Sequence, residues 1–503
     1  MNLKKYLIAL LTVALVAGCN EEIIEVESEF SVTPDIAVER VSGINALVLS
    51  AYKRVNEFTY YGQNQILNAE ALADNLVIAN NTGRYTGQVV NAVGSHFGTW
   101  GASPWAIIND CNLILKYADD AAPALNSTEA IAASQRARYK GEAYFLRALA
   151  YHDLVKVYGY EPGREVGGWD LGVILRTTPV ESVSQADKRA RSTNEEIYTQ
   201  IEADLLQAIA LLPDENQFFT PPAGTTDPNA FPPGDKWFRA SKQAARALLA
   251  RVYLFWNKFP EAAAQATSVL SATVAYPATG GGTGRTIMAS GTYVTSWATA
   301  THPESIFEVN ILSADWSTVD GVNNSLASIT NSSPSGATNA QFAVAGSAEL
   351  IAAFEAGDVR RNVWANNAGR NESKKWQGEK GNFLENIPLI RISEVVLIAA
   401  EARARSGDEP GARTALNSLR TNRGLAATAE IGQALLDLIL NERRVELAFE
   451  GHRFFDLKRL GKDIVKPVSL AVTDVPYTDF RILGNIPNAE ITYNSSLQQN
   501  PEY

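Results

Sequence analysis

Residues 441–461, NERRVELAFEGHRFFDLKRLG, restrict the fold more than any other stretch of the chain. Leu435, Leu438, Ile439, Glu442, Glu446 and Phe449 recur at spacings of three and four, so charge is threaded into an apolar helical stripe. Glu442, Glu446 and Glu450 fall on one face, and Arg443, Arg444, Arg453 and Arg459 are close enough in sequence to neutralise them. A helix lying in water has no need of that arrangement beside Phe449, Phe454 and Phe455. The pattern predicts an ion-pair network buried against other helices, because a buried charge without a partner is costly. Such a helix needs neighbours on several sides.

The rest of the chain supplies them. Amphipathic runs are predicted over 41–55, 67–79, 105–118 and 129–158, the last with Tyr144, Ala148, Tyr151 and Val155 on one face. Thr193 and Glu196 form a capping box that opens a further helix with the stripe Ile197, Ile201, Leu205 and Ala208. Residues 250–270, ARVYLFWNKFPEAAAQATSVL, read as a tetratricopeptide hairpin, and the same shape returns at 399–424. One hairpin cannot bury its own apolar face, so several must stack. The expectation is a mainly α fold: a tetratricopeptide-like scaffold of about four helical pairs, within 34–79, 100–158, 193–270 and 391–450, carrying a loop-rich, mixed second lobe. Residues 271–385 break the helical pattern with a glycine run, the β-like SIFEVNI at 305–311 and a Ser/Asn/Gly stretch at 321–346. A loop of that length inside a domain is usually functional.

The first residues read as an export signal. Lys4 and Lys5 precede an apolar run too short to span a bilayer, which ends at Val16-Ala17-Gly18-Cys19. That ending looks like a bacterial lipobox, with Cys19 as the lipidated first residue of the mature chain. The chain then divides into a signal peptide at 1–18, Cys19 and a flexible tether at 19–33, a helical part at 34–270, the insert at 271–385 and a helical C-terminal part at 386–503. With Cys19 acylated, Cys111 has no disulfide partner and is expected to pack as a small hydrophobe. The formal charge of −11 excludes a nucleic-acid binder or a polybasic membrane patch, both of which need clustered Lys and Arg.

Four segments, in order, resemble the SusD/RagB family: GEAYFLRALAYHDLVKVYG at 141–159, RISEVVLIAAEARARSG with ALNSLRTNRG between 387 and 424, the 441–461 stretch, and the tail with its IP–E–N–QNP–Y pattern from 486. Glu21 and Glu22 after Cys19 resemble the surface-export signal of Bacteroidetes lipoproteins. The resemblance implies a non-catalytic lipoprotein on the outer membrane. Such a protein captures a glycan, or another nutrient such as a peptide, and hands it to a SusC-like TonB-dependent transporter. From the residues alone, a tetratricopeptide-like module for protein contact remains the alternative.

Catalytic motifs are sparse. The four histidines have no metal-ligand spacing, no Gly-x-Ser-x-Gly elbow stands between a strand and a helix, and the GGGTGR run lacks a phosphate loop's Lys-Ser/Thr. Glu442 and Glu446 are separated like a glycosidase pair but flank two arginines. No cofactor and no metal is expected. Sugar binding requires aromatic faces for pyranose rings and polar side chains for hydroxyls. Of nine tryptophans, Trp105 and Trp256 lie on helical stripes and read as core. Trp237 starts a helix, and Trp364 and Trp376 lie near charged segments. Trp100, closing the polar loop 80–99, and Trp316, after SIFEVNI, are the ligand candidates. The resemblance places family ligand sites on these two loops, with Asp74, Asn81 and Arg84 as polar neighbours in the first and Asn323 and Asn324 in the second. Tyr85 and Tyr293 are secondary candidates. The tryptophans suit a glucan, with β-1,3-linked laminarin as an example.

Overall fold

The computed structural model describes residues 37–98, 103–213, 238–272, 287–316, 320–337 and 339–503. Its longer helices are α1 (Val41–Val55), α2 (Asn64–Ala71), α3 (Ser103–Tyr117), α4 (Glu129–Tyr158), α5 (Asn194–Leu211), α6 (Lys242–Phe255), α7 (Phe259–Leu270), α8 (Ile392–Arg405), α9 (Glu409–Thr421), α10 (Gly432–Glu446), α11 (Arg453–Arg459) and α12 (Asn488–Tyr493). They pack in sequence, α1 on α3, α3 on α4 and so on to α8 on α9, with α10 also against α8. This is the mainly α, tetratricopeptide-like stack. The pairing differs at its start, because α1 pairs with α3 rather than within 34–79.

The two repeat-like hairpins are built alike. In each, the residue after the helix cap is left-handed, Asn257 at φ 57° and Gly407 at φ 84°. The next N–H reaches back to close the turn, Lys258 to Tyr253 O and Asp408 to Arg403 O, both at 2.9 Å. This is a Schellman closure, with a proline in the first turn of the following helix each time. The Thr193–Glu196 capping box forms as expected, with Thr193 N to Glu196 Oε2 at 2.9 Å.

Among the described residues, six short strands carry the mixed part: β1 (Leu76–Ile78), β2 (Ser305–Val309), β3 (Val344–Gly346), β4 (Trp364–Asn367), β5 (Arg370–Ser373) and β6 (Ile387–Arg391). One sheet has the order β1-β3-β5-β4 and the other pairs β2 with β6. The helix expected over 67–79 ends at Ala71, and its apolar continuation becomes β1. Leu76, Val77 and Ile78 pair with Gly346, Ala345 and Val344, a partner too distant for local periodicity to reveal. Gly346 is tightly placed, since a Cβ there would come within 2.7 Å of the Trp364 ring.

The glutamates of 441–461 are buried in an ion-pair network, but their partners are not the arginines beside them. Glu442 binds Arg360 and Arg420. Glu446 binds Arg391, Arg423 and Arg360. Glu450 binds Arg391 and Lys375. Glu304 joins Arg391 and Arg423, and Asp358 completes Arg360. Adjacent residues on a helix point in different directions. Arg443 therefore reaches Asp456, Arg444 and Arg453 reach Asp74, and Arg459 reaches Glu401 and Asp456. The glutamate face thus ties 304, 358–375, β6 and α9 to one helix.

Buried lysines finish three helices by donating to their last carbonyls. Lys375 donates to Glu446 O and Ala448 O after α10, Lys458 to Lys156 O and Gly159 O at α4, and Lys466 to the carbonyls of Ala71, Leu72 and Ala73 at α2. The tail is pinned by Asn500. Its amide donates to Tyr158 O and Gly484 O and accepts from Trp169 and Arg191. Cys111 is a buried free thiol, as expected.

Candidate functional site

Gln63, fully buried where the turn Phe58–Gly62 meets α2, joins two loops that are distant in sequence. Its Nε2 donates to Asn323 O at 2.9 Å and to Ser325 O at 3.2 Å. Its Oε1 accepts from the Tyr85 hydroxyl at 2.9 Å and from Arg84 Nη1 at 3.4 Å. The amide's hydrogen-bonding capacity is filled, so 80–85 and 320–325 are held as one surface. Arg84 Nη2 adds an ion pair to Asp320 at 3.2 Å across the same junction, with side chains 20% and 41% exposed. Tyr85 holds a left-handed backbone, φ 60°, to place its hydroxyl inward, and burial raises its pKa. The loop is further stitched by Asn80, whose Nδ2 donates to Phe342 O at 3.0 Å, and by Ala79 N to Ala343 O at 2.8 Å.

Arg84 and Asn323 are therefore brought together, with Asn81 exposed at the loop tip. Asn323 offers its carbonyl to Gln63 and its Oδ1 to Ser328 at 3.1 Å, while Asn324 is buried. Trp316 is half-buried against the core, next to Asp315, which pairs with Lys53. Trp100, Trp237 and Cys19 lie outside the described residues. Asp74 is a correction. Its carboxylate is buried and occupied by Arg453 at 2.6 and 2.7 Å and by Arg444 at 3.3 Å, so it anchors 453 to 74. Tyr293 is likewise interior, with the Arg423 guanidinium 4.2 Å from its ring centre. Trp256, Trp297, Trp364 and Trp376 are buried. Trp105, read as core, packs half-buried against it and lines a cavity.

Gln63 was not a sequence candidate. A single glutamine between two helical runs carries no periodic signal, and its partners lie about 260 residues away.

The surface suits recognition of hydroxyls: a guanidinium–carboxylate pair and side-chain amides stand on a rigid base. Glu442 and Glu446, spaced like a glycosidase pair, lie away from this surface, buried among arginines. Glu446 is sealed in the network; burial alone would raise its pKa, but Arg423 and Arg391 outweigh it and hold the group well below the carboxylate range. Burial pushes Glu385 up to about 8 beneath the turn Leu326–Thr330, where it accepts from Ala327 N at 2.9 Å. Among the described residues, no group of three or more His, Cys, Asp or Glu side chains is placed to hold a metal ion. No helix among them is long and apolar enough to cross a membrane.

Two family models match the chain: the SusD family over residues 356–503, and a family described as starch-binding associating with outer membrane over residues 24–226. A SusD-like protein of Formosa agariphila is 26% identical over an alignment spanning all of both chains. A SusD superfamily protein from Bacteroides thetaiotaomicron superposes with a TM-score of 0.74 at 24% identity, over 92% of this chain and 100% of its own. A laminarin-binding SusD-like protein does so with a TM-score of 0.67 at 23% identity, over 92% and 100%. The fold and loops define a helical-repeat scaffold presenting an irregular polar face. The chain belongs to the SusD/RagB family.

Proposed function

We propose that this protein is a lipid-anchored, surface-exposed outer-membrane protein that captures an oligo- or polysaccharide without cleaving it and passes it to a SusC-like TonB-dependent transporter. The ligand lies on the face that Gln63 makes of 80–85 and 320–325, and Trp316, four residues before 320 in the sequence, is assigned to it. Arg84, Asn81 and the Asn323 region bond hydroxyls, and Trp316 offers ring surface. Trp100 belongs to the same set by its position in the 80–99 loop, and Cys19 carries the lipid.

The observation that carries the reading is the single buried Gln63 holding both loops. Fixing the loops before binding lowers the ordering penalty, which otherwise leaves carbohydrate sites weak. The family description and the laminarin-binding neighbour support a glycan as ligand and make a β-1,3-glucan the first probe. The lipobox-like Val16–Cys19 sequence supports the anchor.

Titration against a panel of soluble glucans, mannans and peptides tests the reading. Binding to a glycan that weakens at least tenfold in Trp316→Ala and Arg84→Ala supports it. Binding of a peptide and of no glycan overturns it.

A further inference from the structure

A cavity of about 370 Å³ opens between α3, the strap 174–180 and α12, lined by Trp105, Ile108, Asn109, Ile174, Arg176 and Glu490. Its volume falls in the usual range of small-molecule sites. The strap has no regular secondary structure, yet buried and half-buried side chains of two helices hold it. Asn109 pairs both ways with Val180, donating to its carbonyl at 3.1 Å and accepting from its N–H at 2.7 Å. Asn112 donates to Arg176 O at 3.1 Å and Thr178 O at 3.2 Å. Its own carbonyl accepts from Arg147 at 2.7 Å, and Arg147 is gripped by Asp204 at 2.6 and 2.8 Å. The Tyr151 hydroxyl accepts from Arg176 N at 2.8 Å and donates to Arg176 O at 2.7 Å.

Packing α3 on α4 does not require that strap. A fixed wall for a ligand does, because a preformed site avoids the ordering penalty of a mobile one. The lining specifies the ligand. An indole with Ile108 and Ile174 offers an apolar surface, while Glu490 and Arg176, whose guanidinium is already paired with Asp187, bring polar groups to the rim. A neutral ring with an apolar face and a hydroxylated edge matches both.

We propose that this cavity is a second carbohydrate subsite, taking a mono- or disaccharide unit, separate from the face held by Gln63. The ligand class rests on the proposed function; the location does not. Two sites on one rigid body raise the avidity for a polysaccharide long enough to reach both.

The test uses the full-length protein labelled with 5-fluorotryptophan, with the Trp105 fluorine signal assigned by Trp105→Phe. The probes are glucose disaccharides linked β-1,3, β-1,4 and α-1,4, and laminarin. The expected result is a saturable shift of the Trp105 signal that persists in Arg84→Ala. The shift is lost in Ile174→Trp, which fills the cavity, and laminarin affinity falls there by about tenfold. Should Ile174→Trp fail to fold, Arg176→Ala and Glu490→Ala at the rim weaken the same shift. A Trp105 signal that stays still while the protein binds any of these glycans elsewhere overturns the subsite and leaves the proposed function standing. Absence of binding to every carbohydrate overturns both.

Discussion

Replacing Glu446 by glutamine keeps the shape of the side chain and removes one buried negative charge. The carboxylate is 0% exposed. It accepts from Arg423 Nε and Nη2, both at 2.9 Å, from Arg391 Nη1 at 2.7 Å and from Arg360 Nη1 at 3.2 Å. In the wild type, Glu304, Asp358, Glu442, Glu446 and Glu450 match Arg360, Arg391, Arg420, Arg423 and Lys375 one for one among nearly buried side chains. The amide leaves one guanidinium uncompensated and points N–H donors at other donors. Breaking a buried pair from one side costs about 3–5 kcal/mol, whereas an exposed pair contributes about 0–1 kcal/mol. A urea titration followed by tryptophan fluorescence reads the change close to the network, since the Trp297 ring lies 4.8 Å from Lys375 Nζ. The double variant with Arg423→Gln should recover part of the loss, because the two sites are coupled. A loss below about 1 kcal/mol for Glu446→Gln would make the network equivalent to surface charge and exclude a buried, fully paired role for this carboxylate.

Glu385→Gln should change the pH dependence of stability. The folded carboxyl, raised by burial to about 8 from an unfolded value of 4.5, binds its proton more tightly folded than unfolded, so wild-type stability falls as pH rises from 4.5 to 8. The variant has no such loss, and its advantage should grow by about 1.4 kcal/mol per pH unit across that window in paired denaturation curves; parallel curves would contradict this. Asn500→Ala strands the groups that its buried amide satisfies around Tyr158, Gly484, Trp169 and Arg191. It should cost about 3 kcal/mol and speed proteolysis of the tail, which unchanged digestion would exclude. Gln63→Leu should leave the helical far-UV signal unchanged and raise hydrogen exchange in both 80–85 and 320–325; exchange raised in one loop alone would show that the glutamine does not couple them.

Local signals carried much of the helical scaffold. The run 129–158 is one helix with the predicted bounds, and the capping box at Thr193 and the two repeat-like hairpins form from neighbouring residues alone. What required distant partners was not legible. The apolar residues 76–78 belong to a strand because Val344–Gly346 lies beside them, and Glu446 is paired by Arg391 of β6, Arg423 just past α9 and Arg360 rather than by Arg443 or Arg444. At the candidate face, Arg84 and Asn323 were visible as polar loop residues. Gln63 was not, because its role exists only once the two loops meet. The resemblance groups Asp74 with Arg84, although Asp74 falls inside the run read as a helix over 67–79, and Arg453 and Arg444 hold it inward.

Hydrogen–deuterium exchange of the full chain, with and without the glycan selected by the panel, reads out the binding face itself. Binding should protect 80–86 and 320–326 together, with Trp316-containing peptides included. Protection confined to other surfaces, with both loops unchanged at saturating glycan, would contradict this assignment of the binding face.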